Sequence, residues 1–381
     1  MKSTPLVILH PHFTLPGGAG KVMLEIGKRL AKERVVIIIA QTIWPRYYQE
    51  YPEIKFVSLN GPTTGALSYW LLLPWWMLST VRILEQLRRK YGNIAVLSNV
   101  FPAQWTGLLY ARIRPKLRSI WFCQEPSAFI HNKRWRRSIR QPLLKIGAEL
   151  FQPVLSLIDR KLARYANTIC ANSNFSATEI YNVYHRNSTV IYPGTNLTNK
   201  NAPKWGERLD VILAVGRLTK FKRFDLIIEG FHQAKLANYK LIIVGDGEER
   251  EALQLLINNL KLEQQVEIRP TVNDEELAAL YNTSKILTMA SKNEPFGMVA
   301  IEAMAAGMVV IADRSGGPME IVEDGKTGRL IEDLSSRNLA STLQSLIQDK
   351  EMLIRMSSAA QTRAAHQFTW DAAASALSGL L

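Results

Sequence analysis

The feature that most limits the folds open to this chain is an alternation of short apolar runs with helix-forming segments, which occurs twice along its 381 residues. Strands separated by helices pair in parallel, and the helices cover both faces of the sheet. In the first half we predict a helix over residues 21–32 and strands over residues 6–9, 35–40, 95–98, 119–123 and 168–171. The sequence therefore predicts an α/β domain built on a parallel sheet.

The alternation restarts after residues 198–210, a polar stretch without apolar periodicity that we predict to be a linker. Beyond it we predict strands at 211–215, 240–244, 266–268, 286–289 and 309–313, and helices over 224–235, 248–260, 274–282 and 296–306. We expect an N-terminal domain over 1–197, a C-terminal domain over 198–365 and a last helix over 366–381. Ligands of such sheets bind beyond the carboxyl ends of the strands, so we expect a site in the cleft between the domains.

Two glutamates, Glu294 and Glu302, flank the start of the helix predicted over 296–306. Pro295 precedes its first turn and Gly307 follows its last, the usual places for these residues. The first amides and the positive end of the helix dipole favour phosphate oxygens. These amides belong to Gly297, Met298 and Val299. Carboxylates accept hydrogen bonds from sugar hydroxyls, so the segment predicts a nucleotide-sugar site. The alternative is a loop charge and an exposed helix residue.

Other motifs follow the predicted strands. Arg217 and Lys222 come just after the strand at 211–215, where cations can neutralise a diphosphate, although a solvated basic loop has the same composition. Three glycine-rich turns open helices, and for the turn at Gly245 a simple turn is the alternative to ligand contact. They lie at Gly17 with Gly18, at Gly245, and at 315–318.

The formal charge of +14 indicates an anionic partner. Residues 126–148 contain no acid, and residues 151–164 have the pattern of an amphipathic helix with further cations, so we predict contact with an anionic membrane surface. The residues proposed for acceptor or membrane contact are His12, His131, Arg134, Trp135, Arg136 and Arg137. Residues 68–78 carry three tryptophans and are too short to span a bilayer, which leaves a core helix and interfacial insertion as open alternatives.

Other classes of protein find little support in the sequence. Cys123 and Cys170 are the two cysteines, so we expect no disulfide framework and a reducing compartment. The first residues run directly into a strand and do not resemble a signal peptide. Because no helix-turn-helix, zinc-ligand spacing or aromatic RNA-binding motif occurs, we expect no nucleic acid partner.

Taken together, these motifs resemble the retaining glycosyltransferases of family 4, whose GT-B fold has two facing Rossmann-like domains and a C-terminal helix that crosses back to the first. The resemblance implies that Glu294 holds the donor sugar, Glu302 the ribose, and Arg217 with Lys222 the diphosphate. It implies a nucleotide-sugar co-substrate, with no metal and no other cofactor. It also implies that the acceptor hydroxyl attacks on the face from which the nucleotide leaves. The remaining residues assigned to donor binding are Gly17, Gly18, Gly216, Gly245, Val272, Phe296, Gly297, Met298 and Val299.

Within that family, residues 10–11, 121–126 and 221–223 resemble mannosyltransferases that build lipid-linked oligosaccharides or surface polysaccharides. GDP-mannose is thus the favoured donor with a UDP-sugar as the alternative, the acceptor is a lipid-linked or membrane-proximal glycan, and the location is the inner face of the membrane. The family often has a histidine where this chain has Gln124 and a glutamate where it has Gly20. Gln124 either replaces that histidine in catalysis, or His131 does, or activity is lowered; we expect His131 to face solvent or headgroups. A nucleotide-sugar epimerase and a silent sugar-nucleotide-binding protein are the competing hypotheses.

Overall fold

The structure is a computed structural model that describes residues 3–14, 17–62, 67–132, 136, 142–198 and 202–381. The chain forms two compact units, Met1–Pro193 together with Trp370–Leu381, and Gly194–Thr369. Each unit carries a parallel sheet covered by helices, which confirms the predicted α/β fold class.

The first unit is built on a seven-stranded parallel sheet within the described residues, in the order β5-β3-β1-β6-β7-β8-β9. These strands are β1 (Leu6–Leu9), β3 (Val36–Ala40), β5 (Lys55–Ser58), β6 (Ala95–Ser98), β7 (Arg118–Phe122), β8 (Thr168–Ala171) and β9 (Thr189–Val190). Two short strands, β2 (His12–Phe13) and β4 (Thr42–Ile43), pair separately. Strands buried on both faces are mostly apolar: the fully buried β1 is apolar throughout, and the fully buried β6 is apolar except for Ser98, which is why the sequence predicted them.

The helices of the first unit cover this sheet. They are α1 (Gly18–Leu30), α2 (Pro45–Glu50), α3 (Leu67–Tyr91), α4 (Ala103–Ile113), α5 (Ala128–His131), α6 (Pro142–Ala163) and α7 (Asn174–Tyr184). The C-terminal helix also belongs here, because it packs on α1 and Asp371 accepts a hydrogen bond from Arg29 Nε at 2.9 Å. The predicted return of the C-terminal helix to the first domain is thereby confirmed.

The second unit has a six-stranded parallel sheet, counted over the described residues, in the order β12-β11-β10-β13-β14-β15. The strands are β10 (Val211–Val215), β11 (Lys240–Val244), β12 (Val266–Arg269), β13 (Ile286–Met289), β14 (Val309–Asp313) and β15 (Gly328–Ile331). The chain order reverses direction at β10, because β11 and β12 lie on one side of it and β13 to β15 on the other. This order places the topological switch point between β10 and β13.

Helices on both faces of the second sheet bury it. They are α8 (Phe224–Ala234), α9 (Arg250–Asn259), α10 (Asp274–Thr283), α11 (Met298–Ala305), α12 (Pro318–Ile321), α13 (Ser336–Gln348) and α14 (Lys350–Gln367). The sequence placed the start of the last helix at His366, but α14 continues to Gln367 and α15 (Trp370–Ser378) begins afterwards. Phe368, at φ −115° and ψ 63°, interrupts the helical backbone between them.

Candidate functional site

The switch point of the second sheet brings the two predicted halves of the donor site together. The segment after β10 contains Gly216, Arg217 and Lys222, and the segment after the neighbouring β13 contains Glu294. Lys222 Nζ donates to Glu294 Oε2 at 2.7 Å, and both side chains are less than one third exposed. A cation and a carboxylate from segments 72 residues apart therefore meet at the carboxyl edge of the sheet.

The helix that follows Glu294 begins where the sequence predicted. Gly297 is its N-terminal capping residue at φ 115°, a conformation that favours glycine, and α11 starts at Met298. The first amides of any α-helix have no partner within the helix, and here they belong to residues beside the Lys222–Glu294 pair. Phe296 is buried and its ring packs edge-on to Phe368 at 6.0 Å, which anchors the turn.

The turn after β14 contacts the loop that carries Glu294 and holds its backbone in place. Gly317 N donates to Glu294 O at 2.8 Å, and a Cβ on Gly316 would lie 2.4 Å from that oxygen. Ser315 Oγ accepts from Asn293 N at 2.8 Å and donates to the buried Asp313 carboxylate. The predicted glycine-rich turn at 315–318 is thus a support for the Glu294 backbone.

Glu302 lies inside α11, where it is 6% exposed and accepts from Tyr281 OH at 3.1 Å. Burial, and then the neighbouring Glu302 carboxylate, raise the pKa of Tyr281, so the phenol stays a donor. The ribose contact assigned to Glu302 stays a prediction.

The remaining donor residues lie on turns after β10, β11 and β12. Arg217 is exposed, and a Cβ on Gly245 would lie 1.9 Å from Gly216 O, so these two turns touch through their backbones. Val272 is half-buried beyond the end of β12. The ligand contacts assigned to Arg217, Gly245 and Val272 stay predictions, as do those of the exposed Gly17 and Gly18 at the start of α1.

A buried polar cluster lies at the switch point of the first sheet, where β1 pairs with β6. Asn99 Nδ2 donates to Ala19 O at 3.2 Å and lies 3.2 Å from His10 Nδ1, and Gln124 Nε2 donates to Ala19 O at 3.2 Å and to Asn99 Oδ1 at 3.4 Å. Burial, with a smaller effect of His12, lowers the pKa of His10 to about 3, so the ring is neutral and its Nδ1 accepts from Asn99. The sequence did not lead us to predict Asn99. A signal did exist, because Asn99 directly follows β6 and His10 directly follows β1, and the carboxyl ends of these neighbouring parallel strands lie at the same edge of the sheet.

A second buried cluster, centred on Asp159 of α6, was not predicted. The Asp159 carboxylate accepts from Trp105 Nε1 at 2.5 Å and from Tyr184 OH at 2.6 Å, and lies 2.9 Å from His131 Nε2. Gln104 lies 3.5 Å from the same carboxylate and donates to Ser127 Oγ at 2.9 Å. The cluster therefore holds the segment that follows Gln124.

Two expectations for the basic region are wrong. The His131 side chain is 8% exposed and lies against Asp159, because a buried carboxylate needs a partner, so it does not face solvent or headgroups. Arg136 is also buried and donates to Ile130 O at 2.5 Å, which removes it from the surface assigned to membrane contact. Arg134, Trp135 and Arg137 lie outside the described residues, and the acceptor role of the half-buried His12 stays a prediction.

The tryptophan-rich segment forms the first turns of α3 and divides between core and surface. Trp76 is buried and Trp70 stacks on Phe129 at 5.0 Å, whereas Trp75 is 52% exposed. The core interpretation therefore holds for Trp76, whereas Trp70 is half-buried and Trp75 lies at the surface. Within the part of the chain that the structure describes, no helix combines the length and hydropathy needed to cross a bilayer.

Two family models together match most of the chain. The model of glycosyltransferase family 4 matches residues 16–199, and that of glycosyl transferases group 1 matches residues 196–363. The D-inositol 3-phosphate glycosyltransferase of Streptomyces avermitilis is 31% identical over 243 residues, 57% of this chain and 52% of that protein. The mannosylfructose-phosphate synthase of Agrobacterium fabrum is 28% identical over 188 residues, 47% of this chain and 41% of that protein. The chain thus spans about half the length of the curated relatives it matches.

Solved structures share the fold over nearly the whole chain. Sucrose-phosphate synthase from Thermosynechococcus elongatus superimposes with a TM-score of 0.80 at 19% identity, covering 99% of this chain and 98% of that chain. Anabaena HepE in complex with UDP-glucose superimposes with a TM-score of 0.78 at 22% identity, and 99% of both chains is covered. The GT-B prediction is confirmed, and the chain matches the model of glycosyltransferase family 4 in its first half and that of glycosyl transferases group 1 in its second half.

Proposed function

We propose that this protein transfers a hexose from a nucleotide sugar to a lipid-linked or membrane-proximal glycan, with retention of anomeric configuration and without a metal ion. The observation that carries the proposal is the Lys222–Glu294 pair at 2.7 Å beside the start of α11. The pair offers an ammonium for the diphosphate and a carboxylate for sugar hydroxyls within one hydrogen-bond length of each other.

The donor in this proposal is GDP-mannose, with a UDP-sugar as the alternative. Mannose is supported by the resemblance of residues 121–126 and 221–223 to mannosyltransferases. The UDP alternative is supported by HepE, whose structures contain UDP and UDP-glucose. The relatives named for an inositol phosphate acceptor support a hydroxyl-rich acceptor.

In the proposed reaction the acceptor hydroxyl attacks the anomeric carbon on the face from which the nucleoside diphosphate leaves. A donor phosphate oxygen takes the acceptor proton. Lys222, Arg217 and the first amides of α11 stabilise the negative charge that grows on the departing diphosphate. Gln124, buried in the His10–Asn99 cluster, supplies an amide where the family has a histidine.

The test compares the binding of nucleoside diphosphates with that of nucleotide sugars by calorimetry. Lys222→Met should weaken both by about 10- to 100-fold, because it removes a charge-assisted hydrogen bond of about 1.5–3 kcal/mol. Glu294→Gln should weaken the binding of the nucleotide sugar roughly tenfold. The nucleoside diphosphate should bind as well as before or better, since a negative charge that repels its phosphates has been removed. Lys220→Met, an exposed lysine two residues away, is the matched control and should bind as the wild type does.

Equal binding by the wild type and Lys222→Met would refute the proposed site. Transfer is measured separately, with GDP-mannose or UDP-glucose, lipid extract and thin-layer detection of lipid-bound sugar. Donor conversion without acceptor would indicate an epimerase, and nucleotide binding without transfer or hydrolysis would indicate a silent binding protein. Either result would overturn the assignment as a transferase while leaving the donor site intact.

A further inference from the structure

One helix of the first unit is apolar on the side that faces solvent. Six large apolar side chains of the 22-residue helix α6 are between 38% and 70% exposed. We name them the α6 stripe; they are Ile146, Leu150, Phe151, Val154, Leu157 and Ile158. Spacings of four, four and three residues along 146, 150, 154 and 157 place these side chains on one face of the helix.

The opposite face of α6 is firmly bound to the first unit. It carries the buried Ala163 and the Asp159 carboxylate that Trp105 and Tyr184 contact. Because buried hydrogen-bonded groups fix the rotation of the helix, the α6 stripe is held outward. An exposed contiguous apolar surface of this kind marks a docking site.

Positive charge accompanies the stripe. Arg160, Lys161 and Arg164 are exposed at the carboxyl end of α6, and Lys145 lies one residue before Ile146. Of the two acids in the helix, Asp159 is buried and Glu149 lies 3.8 Å from Arg136. The sequence from 126 to 148 contains no acid. An apolar band bordered by cations matches the hydrocarbon boundary and the anionic headgroups of a lipid surface.

A second copy of the chain fits this surface less well. A two-fold contact would bring two clusters of exposed cations of the same sign towards each other, with few acids on α6 to offset them. Like charges across an interface disfavour association, whereas anionic headgroups neutralise the same cations.

We propose that the α6 stripe inserts into an anionic lipid surface and holds the protein there. The inference rests on the proposed function only in placing the acceptor at a membrane. α3 has a similar exposed patch, formed by Leu71, Leu72, Trp75 and Leu78 and followed by Arg82.

The experiment is co-sedimentation with vesicles of phosphatidylcholine, with and without phosphatidylglycerol. The wild type should bind the anionic vesicles and bind less as salt increases. Leu150→Glu combined with Leu157→Glu should lower the partition coefficient between water and vesicles at least about tenfold. Each substitution removes an apolar side chain whose transfer from water into the lipid favours binding. Arg160→Gln should lower it about fivefold on anionic vesicles only. Leu255→Glu, an equally exposed leucine of α9 in the second unit, is the control and should bind as the wild type does.

Circular dichroism checks that the double variant is folded, and calorimetry with nucleoside diphosphate checks its second unit. The double variant should bind nucleotide normally, and Lys222→Met should bind vesicles normally, so failure of the donor site and failure of the docking surface are distinguishable. Wild-type binding by the double variant would overturn the inference. A wild-type dimer that the double variant dissociates, with vesicle binding unchanged, would overturn it in favour of a second copy.

Discussion

Replacement of Gly245 by alanine should separate two strand ends that are in contact at the predicted donor site. The new Cβ would lie 1.9 Å from Gly216 O, whereas real Cβ atoms essentially never approach another heavy atom within 3.0 Å. The turns after β10 and β11 must therefore move apart by at least about 1 Å. Gly245 also has φ 151°, which side-chain-bearing residues rarely adopt.

The cost can be worked from the contacts at this position. Gly216 N donates to Val244 O at 3.0 Å across the point of separation, and Gly245 N, which must move with its turn, donates to Arg269 O of β12 at 3.0 Å, so both bonds are disturbed. Loss of two backbone bonds at about 1 kcal/mol each, with about 1–3 kcal/mol of backbone strain, gives a destabilisation of about 3–5 kcal/mol. Gly325→Ala is the matched control, because its φ is 76° but its Cβ would meet no atom within 4 Å; about 1 kcal/mol is expected there.

Hydrogen exchange followed by mass spectrometry measures the effect inside the second unit, because amides of β10 and β11 report their own opening free energies. The calorimetric melting temperature of the second unit should fall by roughly 6–20 °C for Gly245→Ala, at about 2–4 °C per kcal/mol for a unit of this size. Nucleotide binding should weaken in parallel, since Arg217 follows Gly216 directly. Hydrogen exchange gives the loss of opening free energy that each substitution causes. If the loss for Gly245→Ala is within 1 kcal/mol of the loss for Gly325→Ala, the argument from backbone contact is refuted.

Two further predictions concern the first unit. The pKa of His10 is about 3 in the folded protein against 6.5 in the unfolded chain, so the unfolded chain binds more protons between these values and stability falls as pH falls through that window, by up to about 1.4 kcal/mol per pH unit. Urea unfolding at several pH values should show that the free energy of unfolding depends less steeply on pH in His10→Gln than in the wild type. An unchanged pH dependence would contradict the lowered pKa of His10. Asp159→Asn replaces one carboxylate oxygen with an amide donor, so either Trp105, which donates to Oδ1, or the pair Tyr184 and His131 at Oδ2 loses its acceptor. The substitution should destabilise the unit by about 2–4 kcal/mol in urea unfolding followed by tryptophan fluorescence, and a change under about 0.5 kcal/mol would contradict this role of Asp159.

The sheets were predictable because both faces of each are covered. The central strands β1 and β10 are continuous apolar runs, and β6 and β13 are apolar except for one small hydroxyl residue each, so these strands show in the sequence. The edge strand β5 was missed because Lys55 and Ser58 interrupt its apolar pattern. The strands β2, β4 and β9 were missed because two residues carry no period.

The proximity of the segments assigned to donor binding was predictable for a related reason. Each of its segments follows a strand, and carboxyl ends of neighbouring parallel strands lie at one edge of the sheet. Lys222 and Glu294 could therefore be assigned to the same place before their 2.7 Å separation was known. The support of Glu294 by Gly316 and Gly317 depends on backbone contacts below 3 Å, which no sequence pattern specifies.

The error at His131 shows where sequence patterns fail. Its neighbours in sequence are basic, which indicated a solvated position, yet the side chain contacts a carboxylate 28 residues further along the chain. A signal for that carboxylate did exist, because Leu155 and Leu162 lie four residues before and three residues after Asp159 and share its face. The signal was ambiguous, since the other face of α6 is also apolar.

A helix with two apolar faces has two rotations that bury similar hydrocarbon area, and packing alone does not choose between them. Asp159 does, because rotation away from Trp105 and Tyr184 would leave a carboxylate and two buried donors without partners, at about 1–3 kcal/mol each. The same carboxylate contacts His131 and, through Gln104, the segment after Gln124. The Asp159 carboxylate thus fixes both the outward direction of the α6 stripe and the backbone beside Gln124, the predicted sugar-contacting residue. The stripe and the segment after Gln124 are therefore held in place by the same buried contacts.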